Sequence, residues 1–248
     1  MTRFTTTLFC LLLSATVLAE DALTGKDILQ RIDENQVLEH AITEATMIIH
    51  GRAGTRTLSF RSWASGEDKS FTEYLSPARE QGKKMLKVGD KLWTYTPPPN
   101  DRIITISGHL LKQSVMGSDL SYEDLMNNDS LASDYDSTLL GHDTINGRDT
   151  YQLELTALKS DAAYEKQQLW VDTERWIILQ AHFMAKNGKL LKTLEVTDVM
   201  PLADGWYPKA MTFKDMLSNS GGTEYHIDNI DITTDIPESQ FSKAALRR

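Results

Sequence analysis

Arg56-Thr57-Leu58-Ser59-Phe60-Arg61-Ser62-Trp63-Ala64-Ser65-Gly66-Glu67-Asp68-Lys69-Ser70-Phe71-Thr72-Glu73-Tyr74-Leu75 is the stretch that decides the fold. Leu58 and Phe60 share one side of an extended segment, and Arg61 and Trp63 share the other. That period of two is the pattern of a β-strand. The short polar turn Ser65-Gly66-Glu67-Asp68 reverses the chain into a second alternating segment, in which Phe71 and Leu75 oppose Ser70, Thr72 and Tyr74. Strands joined by so short a link pair antiparallel, because a parallel partner needs a crossover of a dozen residues or more.

The same pattern continues on both sides. Residues 45–50, 84–88, 91–96 and 103–106 alternate in the same way, with turn residues at Gly51–Gly54, Gly82 and Gly89-Asp90. Pro97-Pro98-Pro99-Asn100 interrupts the meander. Strands return over residues 133–144, 149–158, 167–171, 176–185, 190–199, 206–215 and 223–233, where Asn146-Gly147 and Asn187-Gly188 are strong hairpin signals. The pattern predicts a mainly β chain of about eleven antiparallel strands, and a sheet of that width must curl or close on itself. Residues 24–36 read as a helix capped by Thr24, with the apolar stripe Ile28, Leu29, Ile32 and Val37. Residues 109–116 and 121–127 read as two central helices, the second opened by Ser121 with Asp124 three positions on. The polar tail, residues 237–248, is expected to fray.

The N-terminus reads as a cleaved export signal over residues 1–19. Arg3 supplies a positive start, Leu8 to Leu13 an apolar run, and Val17-Leu18-Ala19 the small residues before the cut. The run is too short to span a bilayer, which takes about 20 residues. Cys10 is the one cysteine of the chain and departs with the signal, leaving residues 20–248 as a single domain without a thiol, a disulfide or a lipid anchor. The formal net charge is −9, and loss of Arg3 takes it to about −10. An acidic balance argues against nucleic-acid binding and against adsorption of the whole molecule to anionic membranes.

No catalytic signature emerges. The six histidines have neither helical metal spacing nor an HExxH context, although His182 and His226 lie on strands and could meet. There is no Gly-x-Ser-x-Gly elbow and no phosphate-binding glycine loop, so the expectation is a protein without cofactor or metal that is not an enzyme. What the chain has in excess is adaptable apolar surface: nine Met, five Trp, and strands apolar on both sides, as where Trp93 and Tyr95 oppose Leu92. Such strands imply either a sheet covered on both faces or a cavity lined by one of them.

Arg61 to Asp68, Leu75-Ser76-Pro77, Gly82, Leu92-Trp93-Thr94-Tyr95-Thr96-Pro97 and above all Met116-Gly117-Ser118-Asp119-Leu120-Ser121-Tyr122-Glu123-Asp124-Leu125 carry a family resemblance. The chain resembles the outer-membrane lipoprotein-sorting proteins of the LolA/LolB-like superfamily, from about residue 28 to residue 236. The resemblance implies a curved antiparallel half-barrel with an N-terminal helix and a central helical lid over an apolar cavity. It implies a soluble periplasmic carrier, probed by no nucleic acid and not stably inserted in a membrane, that binds acyl chains of lipoproteins or lipids as a monomer. Leu58, Phe60, Phe71 and Leu92 would line the cavity from the sheet, and Leu110, Leu111, Val115, Met116, Leu125 and Met126 from the lid. Asp119, Tyr122 and Asp124 would position the lid, and Arg61 is the strand arginine in place to hold it. The alternative implied role is an accessory protein docking on an RND-family envelope transporter without carrying lipid.

Overall fold

The computed structural model describes residues 23–36, 38–126, 130–160 and 162–248. The signal, residues 1–19, and Val37 of the helical stripe lie outside the described residues. The strands are β1 (His40–Gly51), β2 (Gly54–Ser65), β3 (Lys69–Ser76), β4 (Lys84–Val88), β5 (Lys91–Thr96), β6 (Arg102–Ile106), β7 (Tyr135–Ile145), β8 (Arg148–Ala157), β9 (Lys166–Asp172), β10 (Ile178–Met184), β11 (Leu190–Leu202), β12 (Gly205–Asp215) and β13 (Gly222–Asp231). They form one 13-stranded sheet instead of the expected eleven or so, because each alternating segment remains a strand of its own. Every pairing is antiparallel, and the order is β6-β5-β4-β3-β2-β1-β13-β12-β11-β10-β9-β8-β7.

That order dictates where the rest of the chain must go. The strands start at the centre with β1 and wind out to the edge at β6. The chain then crosses to the opposite edge at β7 and winds back until β13 pairs with β1. Residues 107–126 and 130–134 pack across one face of the sheet, here called the inner face. They contain a 3-10 turn (Gly108–Lys112), α2 (Tyr122–Met126) and α3 (Leu131–Asp134). The expected helix over 109–116 shrinks to that single 3-10 turn. Beyond it, Ser114 bridges Ser121, and Val115 N–H donates to the Leu120 carbonyl at 2.7 Å, so residues 113–122 form a narrow finger.

α1 (Gly25–Gln36) shares the inner face. Thr24 and Asp27 exchange hydrogen bonds at its start, closing a capping box. Its fully buried Ile28, Leu29 and Ile32 pack on Leu153, Leu155, Leu169 and Val171 of β8 and β9. At the centre of the sheet, Ala45, Met47 and Ile49 of β1 lie among Leu58, Phe60, Tyr74 and Tyr225.

The outer face is covered too, over β3 to β5. Phe71, Leu86, Trp93 and Tyr95 pack against Phe241, Ala245 and Leu246 of the C-terminal tail. The tail is thus docked, not frayed. It forms two 3-10 turns, and Lys69–Glu238 and Arg247–Asp101 ion pairs flank it. Burying side chains such as Phe241 and Leu246 stabilises by about 1.5–3 kcal/mol each, more than an exposed polar terminus could offset. The two-sided apolar character of β4 and β5 has this cause: Met85 and Leu92 face the crossover, while Leu86, Trp93 and Tyr95 face the tail.

Candidate functional site

The crossover is held to the inner face by four polar anchors that draw on five strands. The first is at the fingertip, where Met116 has φ 53° and Gly117 φ 75°. The backbone angle at Gly117 favours glycine, and a Cβ there would lie 2.9 Å from the Arg56 guanidinium and push it aside. Arg56, on β2, donates through Nη2 to the Met116 carbonyl at 2.6 Å. This is the arginine that holds the lid. Arg61, the expected candidate, points outward and pairs with Glu44.

Asp119 is the second anchor, and only 5% of it is exposed. Its carboxylate accepts from Thr223 Oγ1 on β13 at 2.7 Å, from Asp215 N–H at the end of β12 at 3.0 Å, and from the Ser220 hydroxyl. Its own N–H donates back to Thr223 Oγ1 at 2.9 Å.

Asp124 is the third. It caps α2 by accepting from Ser121 N–H at 2.6 Å while its own N–H donates to Ser121 Oγ at 3.2 Å. Its outer oxygens meet the Lys192 ammonium on β11 and the Tyr164 hydroxyl, the latter at 2.5 Å. Burial, with the Asp124 carboxylate beside it, pushes the Tyr164 phenol well above its ordinary range, so it stays a donor at any physiological pH. Tyr164→Phe is expected to cost about 1.5–3 kcal/mol in urea unfolding, the worth of a hydrogen bond to a charged acceptor. The fourth anchor is Lys87 of β4, which donates to the carbonyls of Met126 and Glu67 at 2.9 Å each.

Between the anchors the contacts are apolar. Met116 and Leu120 lie on the cluster of Met47, Leu58, Phe60 and Tyr74. Leu110, Leu111, Tyr122, Leu125 and Met126 surround Met85, Leu92 and Ile106. Val115 is buried to 1% exposure. The crossover residues named from the sequence therefore sit together on the inner face with Leu58, Phe60 and Leu92. Phe71 does not. It pairs with Trp63 across β2 and β3 and faces the C-terminal tail, a correction that follows from strand register.

The helical parts of the crossover are lightly buried compared with what they cover. No residue of the 3-10 turn or of α2 is buried, whereas Met85, Leu92 and Ile106 beneath them are, as are Val115 and Leu120 of the finger. Two shallow hollows, of about 530 and 560 Å³, lie elsewhere. One sits on the outer face beside Thr46, Ile48 and His226, and the other beside Asn35 and the β11–β12 turn. In this closed arrangement the inner face is filled by the protein's own lid.

Sequence reasoning missed Arg56, Tyr164, Lys192 and Thr223. Lys192 did carry a signal: it shares the inward side of β11 with Leu194 and Val196, where a lone cation needs a partner. Arg56, Tyr164 and Thr223 carried none, since their partners are distant in sequence. Among the described residues no group of three or more His, Cys, Asp or Glu is placed to hold a metal ion. His182 and His226 do not meet, because β11 and β12 separate their strands.

An open antiparallel sheet wound out and back from its centre, with a helix and an anchored crossover on its inner face, is a LolA-like half-barrel. Three solved structures share it. A DUF1329 family protein from Desulfovibrio piger ATCC 29098 is 27% identical with a TM-score of 0.83, over 90% of this chain and 98% of that one. A putative outer membrane lipoprotein-sorting protein domain from Vibrio parahaemolyticus is 25% identical with a TM-score of 0.81, over 90% and 98%. The LolA superfamily protein NE2245 from Nitrosomonas europaea, 23% identical with a TM-score of 0.74 over 90% and 100%, shares the fold. The chain belongs to the family whose model matches residues 66–248 and is described as "-like: Uncharacterized protein". No curated protein matches it.

Proposed function

We propose that the protein carries acyl chains, of a lipoprotein or a lipid, between its inner face and a displaced crossover, and ferries them across the periplasm of a Gram-negative envelope. In this reading residues 1–19 are a cleaved signal, residues 20–248 are the carrier, and no catalytic group is needed. The observation that carries it is the contrast within the site. A continuous apolar face is covered by a lid that has no fully buried helical residue and is held at a few polar points. Releasing the four anchors costs about 6–12 kcal/mol, at about 1.5–3 kcal/mol for each charged hydrogen bond. A palmitoyl chain withdrawn from water returns about 12 kcal/mol, at about 0.8 per CH₂. The likeness to a putative lipoprotein-sorting domain supports the same reading.

Native mass spectrometry of the protein purified from an envelope fraction without detergent tests it. The expected result is a species heavier by one lipid or acyl chain. A single ligand-free mass, unchanged after incubation with palmitate, would overturn the proposal.

A further inference from the structure

The large apolar residues exposed to solvent among the described residues are Leu75, Leu140, Leu158, Met216 and Leu217. All but Leu140 sit at one end of the half-barrel, the end reached by the fingertip of the lid. Met216 and Leu217, 45% and 60% exposed, form the tip of the β12–β13 loop. Strand order places that loop between the β1–β2 turn and the β10–β11 turn. Two backbone bonds fix it there: Gly221 N–H to the His50 carbonyl at 2.6 Å, and Met216 N–H to the Leu191 carbonyl at 2.9 Å. The flanking turns expose Arg52 on one side and Lys186 and Lys189 on the other. Of the acids around it, Asp119 is buried and held by Ser220 and the Asp215 N–H, Asp215 is turned into the loop and accepts from Leu217 N–H, Glu224 pairs with His50, and Glu165 reaches Lys186 only at 4.0 Å. The opposite end carries Glu67, Asp68, Asp204, Asp231 and Asp235 in its turns. The net charge of the chain is −9, and exposed cations flank the apolar loop on both sides.

We propose that the β12–β13 loop docks the protein on an anionic phospholipid surface, with Met216 and Leu217 entering the interface and Arg52, Lys186 and Lys189 meeting the headgroups. An apolar tip flanked by cations is the arrangement that binds such an interface, since burial and headgroup attraction add. An acidic protein surface would satisfy the three cations but leave no role for two exposed apolar tips. The loop also clamps the lid: Ser220 and the Asp215 N–H at its two ends both hold Asp119. Docking therefore brings the fingertip of the lid to the membrane. This inference concerns the loop alone and does not depend on whether the protein carries lipid.

Co-sedimentation of the full chain with vesicles of phosphatidylglycerol and phosphatidylethanolamine, against vesicles of phosphatidylcholine, tests it. The expected result is binding to the anionic vesicles that weakens as salt rises. Met216→Ser with Leu217→Ser should weaken it about tenfold or more. Lys186→Glu with Lys189→Glu should weaken it about twentyfold or more. Leu140→Ser, at the edge strand, should leave it unchanged. Equal binding to both vesicle types, no binding, or binding that ignores the loop variants would overturn the proposal. Palmitate uptake measured on the same variants reads the carrier function separately, and it should persist in the Met216→Ser, Leu217→Ser protein.

Discussion

Asp172→Ala is expected to destabilise the protein by about 3–5 kcal/mol, the range found when one partner of a buried ion pair is removed. Asp172, at the end of β9, is fully buried. Arg148 on β8 grips it with both arms, Nε to Oδ2 at 2.6 Å and Nη2 to Oδ1 at 2.9 Å. The N–H groups of Glu174 and Arg175 donate to the same carboxylate at 3.0 Å each. One side chain thus satisfies a guanidinium and two backbone donors, and ties the turn after β9 to the start of β8. Alanine leaves the two N–H donors without that acceptor, and Arg148 keeps only Glu174. Urea unfolding at neutral pH measures the loss. Asp172→Asn keeps one acceptor and should fall between the two.

The same residue predicts a pH dependence. Burial opposes ionisation of Asp172, but Arg148 and the two N–H groups outweigh it and hold the carboxyl below its ordinary range. The unfolded chain therefore takes up the proton first. The stabilisation is present above the usual carboxylate range near pH 4 and is lost as pH falls through the lower folded value. The parent should lose stability as pH falls below about 4, and Asp172→Asn should lose less over the same range.

Asp119→Ala is expected to cost about 3 kcal/mol and to loosen the lid as well. Its carboxylate is the one group in the crossover that reaches β12, β13 and the loop between them. Charged hydrogen bonds of this kind contribute about 1.5–3 kcal/mol each, and the loss is partly offset where Ser220 turns to water. Asp215 N–H and Thr223 Oγ1 remain, and Thr223 is fully buried, so its hydroxyl has no water to fall back on. Hydrogen exchange should quicken over residues 113–126 well before the strands respond. Uniform quickening would place Asp119 in the global core and not in a separable lid.

Features set by neighbours in sequence could be read from the chain alone. The capping box of Thr24 and Asp27, the alternation of β2 and β3, and the turn at Asn146-Gly147, with φ 51° and 77°, all depend on residues a few positions apart. The lid helices could not be read to length, because Met116 and Gly117 leave the helical region to meet Arg56, sixty positions away. The tail was misread for the same reason: Phe241 and Leu246 look dispensable until Phe71 and Trp93 are beneath them. Phe71 was assigned to the wrong face because alternation says which residues share a side, not which side is inside. That depends on the register Trp63–Phe71. Of the site, the apolar residues of the crossover and Asp119 and Asp124 were visible as a motif, while the strand groups that receive them were not.

Titration with a fluorescent fatty acid, competed by palmitate, is the measurement that bears most directly on the carrier reading, with the parent and Asp119→Ala compared side by side. A closed lid reduces the apparent affinity by the fraction of molecules open, so a loosened lid should raise it. The account predicts saturable uptake at one chain per protein, displaced by palmitate, and stronger in Asp119→Ala. No saturable uptake in either protein, with both folded, would contradict it: the inner face would then be a packed core and the crossover an ordinary part of it.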